Sequence, residues 1–263
     1  MKSLCSMLSL LVLTALGADH RSSDAERQVP EPNQPLSVRA FQLEATDPLA
    51  ASALYEKGCE AGEAASCAGR ALLFEKSGNK VAAQGLYKKA CGLGDGYACY
   101  QMAQAAEPSA RGPLLKKSCQ GGVAYSCFLW GADAMNKGQD AEAAFKKGCA
   151  MTDVHSCNGL GVVAQQKNQL DKAKAIFEKV CAKRADLGCN NLGLVELQLG
   201  NKKRAVALLE KTCRERTDFH ACNSLGVVEK QSGNLKAAEN MYRLACENGV
   251  PSGCRNLQKT ASR

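Results

Sequence analysis

The chain has 263 residues, 45% of them hydrophobic but only 5% aromatic, with 24 glycines, 15 cysteines and one tryptophan. An apolar share of that size, much of it Ala and Leu, excludes wholesale disorder, while so few rings exclude a bulky aromatic core. The formal charge is +8, and no apolar run reaches the roughly 18 residues needed to cross a bilayer.

Met1-Lys2 gives a positive start, Leu8 to Leu16 a short apolar stretch, and Ala15, Gly17 and Ala18 the small residues of a cleavage site. This layout predicts a secretory signal peptide over 1–18. Cys5 precedes the apolar stretch, which argues against a lipoprotein, and its removal leaves 14 cysteines, an even number. Residues 19–45 carry Pro30, Pro32 and Pro35 without an apolar period, and read as a disordered leader.

From residue 46 to 263 the cysteines set a register. Pairs fall at Cys59/Cys67, Cys91/Cys99, Cys119/Cys127, Cys149/Cys157, Cys181/Cys189, Cys213/Cys222 and Cys246/Cys254. Six pairs are spaced Cys-x7-Cys; Cys213 and Cys222 are spaced Cys-x8-Cys. The leading Cys advances by 32, 28, 30, 32, 32 and 33 residues. Such a period belongs to stacked helical hairpins. Eight residues before the leading Cys stands Ala in most units (Ala51, Ala83, Ala141, Ala173, Ala205, Ala238; Arg111 in the third). Four before it stands Tyr55, Tyr87, Leu115, Phe145, Phe177, Leu209 or Tyr242. These positions stack on one helix face, so each leading Cys closes the buried stripe of a helix B.

Four residues after the trailing Cys the side chain is very small: Ala71, Ala103, Gly131, Gly161, Gly193, Gly226. A helical Gly costs roughly 1 kcal/mol against Ala, so its recurrence predicts close approach of another helix. Gly78-Asn79, Gly138-Gln139, Gly200-Asn201 and Gly233-Asn234 mark the turn from helix A to helix B, a Gly-type helix stop. Asp47-Pro48 is a capped helix start. The third unit is shortened, has Pro108 and Pro113 and lacks the Gly-Asn turn, which predicts a kinked or truncated helix there.

The pattern Cys-x-x-Leu-Gly, then Gly-Asn, then Ala-x-x-x-Phe-x-Lys-x-Cys resembles the Sel1-type repeat, a relative of the tetratricopeptide repeat. Its Cys-x7-Cys form resembles the Helicobacter cysteine-rich protein family, although the periods here are shorter than is usual there. The resemblance implies an all-α, right-handed α/α solenoid of about seven disulfide-linked repeats. It also implies β-lactamase or penicillin-binding activity as an alternative to partner binding.

Three chemistries compete for the cysteines. Zinc needs four ligands grouped at short spacings, and a lone Cys-x7-Cys offers two. Redox catalysis favours Cys-x-x-Cys, which is absent. Structural disulfides suit an exported chain with an even count. Pairing each leading Cys with its own trailing Cys leaves no cysteine over, whereas pairing Cys157 with Cys181 would strand Cys59 and Cys254 at opposite ends. Closing a loop of this size contributes up to about 2.5 kcal/mol per bridge.

No assembled catalytic set is visible, and no metal or cofactor is called for. Ser77-Gly-Asn-Lys80 matches Ser-x-x-Lys in letters but falls on the turn between helices, without the Ser-Asp-Asn or Lys-Thr-Gly partners of such enzymes. His155 and His220 share a column with Tyr97 and Tyr125, readable as a ring-lined edge or as packing beneath each loop. Ser66, Ser126 and Ser156, just before trailing cysteines, read as helix N-caps. Two residues before the leading Cys comes Lys57, Lys89, Lys117, Lys147, Lys179 and Lys211, cations favoured in a last helical turn. Stacked along the array, Lys89, Lys117, Lys147, Lys179 and Lys211 form a candidate ligand ridge, densest in units two to four. The expectation is an exported, monomeric scaffold, periplasmic or extracellular, that binds a peptide or protein segment on its concave face. Alternatives are the lactamase activity and cell-wall binding through the ridge; nucleic acid and a membrane span are not expected.

Overall fold

The computed structural model describes residues 33–215 and 218–261. Among them every regular element is a helix: α1 (Leu36–Leu43), α2 (Pro48–Glu60), α3 (Ala64–Lys76), α4 (Lys80–Gly92), α5 (Gly96–Ala105), α6 (Pro108–Gln120), α7 (Ala124–Asn136) and α8 (Glu142–Ala150). The series continues with α9 (Val154–Gln166), α10 (Leu170–Lys183), α11 (Ala185–Gln198), α12 (Lys202–Arg214), α13 (Phe219–Gln231), α14 (Leu235–Glu247) and α15 (Pro251–Ala261). The signal-peptide reading at 1–18 lies outside the described residues. So does most of the leader, but its last part is corrected: α1 is ordered helix. Its Ala40 is fully buried, and the Ser37 hydroxyl donates to Glu63 at the start of α3. Glu44, just after α1, accepts from the Tyr55 hydroxyl at 2.7 Å and pairs with Lys76 at 3.2 Å. With only Leu36, Ala40 and Leu43 facing inward among prolines, this helix depends on the array it caps.

Consecutive helices pack as hairpins, and odd-numbered and even-numbered helices form two rows. Along the odd row, called A, α7, α9, α11, α13 and α15 approach one another in succession; along the even row, B, the comparable approach is between α6 and α8. The more tightly packed A row is therefore the inner, concave side. Seven disulfides join the end of each B helix to the start of the next A helix. They are Cys59–Cys67, Cys91–Cys99, Cys119–Cys127, Cys149–Cys157, Cys181–Cys189, Cys213–Cys222 and Cys246–Cys254, with Cα–Cα distances between 4.5 and 4.8 Å. That spacing is comfortable for the bond.

Cys222 is the one trailing cysteine that departs from the common separation of eight: it lies nine residues after Cys213, and this bridge has the widest Cα–Cα distance, 4.8 Å. The pairing is nevertheless the same as in the other units. The reason lies in where the extra residue falls. Asp218 stands four residues before Cys222, as Asp153 does before Cys157, and accepts from the His220 N–H at 2.8 Å. The addition thus precedes the cap, so Cys222 keeps its place in the first turn of α13 and is fully buried.

The core is a chain of small clusters, each shared by neighbouring hairpins, as expected of a repeat array. The small column on helix A is a set of notches for the rings of helix B. A Cβ on Gly161 would lie 2.5 Å from Phe177, and one on Gly226 would lie 2.7 Å from Tyr242. Phe145, Phe177, Leu209 and Tyr242 are each at most 1% exposed, so the helical glycine cost is offset by burial of a large side chain.

Beside each disulfide a second size-matched column appears. The residue before the leading Cys faces the residue before the trailing one: Gly58/Ser66, Ala90/Ala98, Ser118/Ser126, Gly148/Ser156, Val180/Gly188, Thr212/Ala221 and Ala245/Gly253. Where one member has a branched side chain, its partner is Gly or Ala. A Cβ on Gly58 or Gly148 would strike Ser66 or Ser156, and one on Gly188 would come within 2.7 Å of Val180. In the third unit the two hydroxyls instead bond, Ser118 to Ser126 at 2.7 Å.

These serines correct the N-cap reading. Ser66, Ser126 and Ser156 are fully buried inside their helices, and the caps stand three residues earlier. Asp153 accepts from the Ser156 N–H at 2.7 Å and Asp95 from the Ala98 N–H at 2.7 Å. The turns deviate at two informative places. Asn168 has φ +56° in the Gly78/Gly138/Gly200/Gly233 column, and Thr152 has φ +64° in the loop column where four other units have Gly62, Gly94, Gly122 and Gly249. Asn tolerates the left-handed region; a β-branched Thr does so only under strain.

The third unit is shortened in one helix. α5 stops six residues after Cys99, whereas α3, α7, α9, α11 and α13 run nine residues past their cysteines. Pro108 opens α6, where a missing N–H costs nothing, and Pro113 lies within it. Loss of a turn from α5 leaves a cleft of about 570 Å³ between α4, α5 and α6, lined by Val81, Met102, Ala105, Ala110 and Leu114 among others.

Candidate functional site

From α9 to α15 on the inner row, successive A helices are linked by polar side chains in positions one and two after Cys157, Cys189, Cys222 and Cys254. The Asn191 amide donates to Asn158 at 2.9 Å, the Ser224 hydroxyl to Asn190 at 2.8 Å and the Asn256 amide to Asn223 at 2.9 Å. About two turns further along the helices, the Gln165 amide donates to Gln198 at 2.9 Å. Between these rungs lies a groove of about 490 Å³ made entirely of A-row residues: Gln165 from α9, Leu194, Leu197 and Gln198 from α11, and Asn223, Ser224, Val227, Val228 and Gln231 from α13. Its walls are uncharged, with amides that can both donate and accept around aliphatic side chains.

The groove has rigid backing. Glu196 of α11 is completely buried. Burial would push its pKa up, but the Asn201 amide at 2.7 Å, Lys174 at 3.1 Å and Arg204 at 3.1 Å together hold its carboxyl below the ordinary value. The carboxylate thus ties α10, α11 and α12 into one body. Sequence reading missed it, because a single Glu inside Leu-Val-Glu-Leu looks like a solvent-facing helix position. Its cations come from the two adjacent helices.

The outer row carries the lysine ridge. Lys57, Lys89, Lys117, Lys147, Lys179 and Lys211 lie on α2, α4, α6, α8, α10 and α12, and all are exposed. The ridge and the groove therefore occupy opposite rows. Lys211 reaches Glu215 at 3.9 Å, and beside Lys179 the carboxylate of Glu178 binds Arg204 at 2.8 Å. Lys116, next to Lys117, sits 5.5 Å from the centre of the Trp130 ring.

The ring column is split. His155 is half-buried in a cluster with Tyr125 and Phe128, at centroid distances of 6.1 and 5.3 Å, whereas Tyr97, Tyr125 and His220 are exposed. Ser77 is the C-cap of α3; its hydroxyl donates to the Phe74 carbonyl at 2.9 Å, and Gly78 beside it has φ +82°. Lys80 opens α4 on the far side of that turn. Ser77 therefore serves a helix stop, away from both the groove and the ridge. No helix among the described residues is long and apolar enough to cross a membrane.

The tetratricopeptide repeat family matches residues 154–182, the unit formed by α9 and α10. Solved structures extend the likeness to most of the chain. A protective antigen of uropathogenic Escherichia coli with an SLR fold, c5321, aligns at TM-score 0.59 and 16% identity, over 86% of this chain and 56% of that one. The Cut9–Hcn1 hetero-tetramer of the APC/C aligns at TM-score 0.53 and 15% identity, over 85% and 52%. A Sel1 repeat protein from Oxalobacter formigenes aligns at 0.55 and 14%, over 81% and 97%. The chain spans little more than half the length of the first two. No curated protein matches the sequence. The fold is accordingly that of Sel1-like and tetratricopeptide repeats, with a disulfide added at each junction, and so many disulfides point to an oxidising compartment.

Proposed function

We propose that the protein is an exported scaffold, directed by a signal peptide at residues 1–18, whose concave face holds an extended peptide or protein segment of a partner. The observation that carries this reading is the uncharged groove across α9, α11 and α13, open along the inner row and built from paired amides and aliphatic side chains. An extended backbone offers N–H and C=O groups in alternation, and amides can satisfy both. The SLR and Cut9–Hcn1 likenesses agree with a binding scaffold. The narrower likeness to Helicobacter cysteine-rich proteins rests on the Cys-x7-Cys spacing. Periplasmic or extracellular residence and a monomeric state belong to the same proposal.

The test is selection of peptides from a random display library on the oxidised protein, followed by affinity measurement. Val227→Glu and Leu194→Glu, which place charge in the groove, are expected to abolish binding of the selected peptides, while Ser77→Ala leaves it unchanged. Peptides that bind both groove variants at full strength would remove the concave face as the site. Turnover of a chromogenic cephalosporin that disappears in Ser77→Ala would replace this reading with the hydrolytic one.

A further inference from the structure

Charge is sorted between the two rows in the middle of the array. The A helices α5, α7 and α9 contain no Lys or Arg. The B helices that directly precede them carry lysine doublets at one fixed position: Lys88/Lys89 on α4, Lys116/Lys117 on α6 and Lys146/Lys147 on α8. Neither α4 nor α6 has an acidic residue, and Glu142 of α8 is engaged by Lys167 at 2.5 Å and Lys172 at 3.3 Å. None of the six lysines is in an ion pair among the described residues, unlike the ridge further along, where Glu178 and Glu215 intervene. Six ammonium groups thus stand exposed on three successive B helices.

We propose that these three doublets form a docking track for a linear anionic glycan, a polysaccharide bearing carboxylate or sulfate groups at intervals. Three observations select that occupant. The doublets recur once per repeat, on separate helices rather than along one strand, so charges set sugar units apart fit the track better than a run of acidic residues. Ammonium groups only donate hydrogen bonds, and so offer nothing to the N–H groups of a peptide strand. The track also lies on the curved outer row, flanked by the Trp130 ring beneath Lys116 rather than by a flat apolar anchor for a bilayer. The surface is separate from the inner groove, and its failure would leave peptide binding there untouched.

The experiment compares retention of the oxidised full chain on immobilised polygalacturonate and heparin, and its binding to polyglutamate and to phosphatidylglycerol vesicles. Tight glycan binding in dilute buffer should be lost at about 1 M salt, where the screening length falls to roughly 3 Å. Replacing all six lysines with Gln should weaken glycan binding at least about tenfold. A control with the same charge change at Lys183, Lys202, Lys203, Lys230, Lys236 and Lys259 should stay close to the parent. Circular dichroism and peptide binding at the groove check that both variants are folded. Equal loss in both variants would reduce the effect to net charge and overturn the track. So would undiminished glycan binding by the first variant, or preference for polyglutamate or vesicles over both glycans.

Discussion

The column beside the disulfides can be tested by copying one unit into another. Gly148 and Ser156 flank the Cys149–Cys157 bridge, whereas Ala245 and Gly253 flank Cys246–Cys254. In Gly148→Ala the new methyl would meet the Ser156 side chain and come within 2.9 Å of the Cys127 Cβ. Overpacking of this kind costs about 1–3 kcal/mol, against about 1 kcal/mol gained from replacing a helical Gly by Ala. The single variant should therefore lose roughly 0–2 kcal/mol. Ser156→Gly removes the obstructing side chain, and with it a buried hydroxyl that has no hydrogen-bond partner among the described residues, a group costing about 1–3 kcal/mol when left unsatisfied. The double variant recreates the Ala/Gly pair of the last unit and should recover the loss, with a coupling energy of about 1–2 kcal/mol. Urea titrations of the oxidised parent, both singles and the double, followed by circular dichroism, supply the full cycle. Coupling below about 0.5 kcal/mol, the scatter expected of independent sites, would show that the matched sizes have no energetic meaning.

Thr152→Gly should raise the thermal midpoint, because relief of a left-handed β-branched residue is worth about 1–2 kcal/mol and the added glycine freedom costs back about 0.5–1; an unchanged or lower midpoint contradicts the strain. Glu196→Gln should destabilise by about 1–3 kcal/mol in urea at neutral pH, since two cations lose their buried partner. The Glu196 carboxyl lies below its ordinary pKa in the folded chain, so its contribution is complete above the unfolded value and is lost as pH falls through the folded one. The gap between parent and variant should accordingly narrow on acidification, and a gap independent of pH would deny the charge its role. Replacing Cys181 and Cys189 together by Ser should cost up to about 2.5 kcal/mol, the loop-closure figure for one short bridge. A far larger loss would mean that the bridge holds native geometry rather than only limiting the unfolded chain.

The repeat was legible because every unit meets the same neighbours, so the stripe of Ala, ring and Cys recurs wherever a B helix must be buried. The notches at Gly161 and Gly226 followed from the cost of glycine in a helix, and the short third unit from its prolines and missing Gly-Asn. The odd spacing before Cys222 was visible as a count, but only the cap at Asp218 shows how the helix start absorbs it. What escaped was set by contacts between chain segments rather than along them. Ser66 and Ser156 look like caps by type, yet their place is fixed by a glycine eight residues earlier. Glu196 becomes buried only when Lys174 and Arg204 close over it from flanking helices. The groove was hidden because its rungs, such as Asn158 with Asn191, are spaced a whole repeat apart. The partition of ridge and groove onto opposite rows needed the three-dimensional stacking.

Because every bridge spans a B-to-A junction, covalent continuity of the rod is doubled at those junctions and single at every A-to-B turn. A protease cut between Cys181 and Cys189, for instance after Lys183, leaves both fragments attached through sulfur until a reductant is added. A cut after Lys137 or Lys202, each beside such a turn, leaves the pieces held by packing alone. The tips opposite the bridges are thus where the rod can be severed, and where proteolysis would end its span.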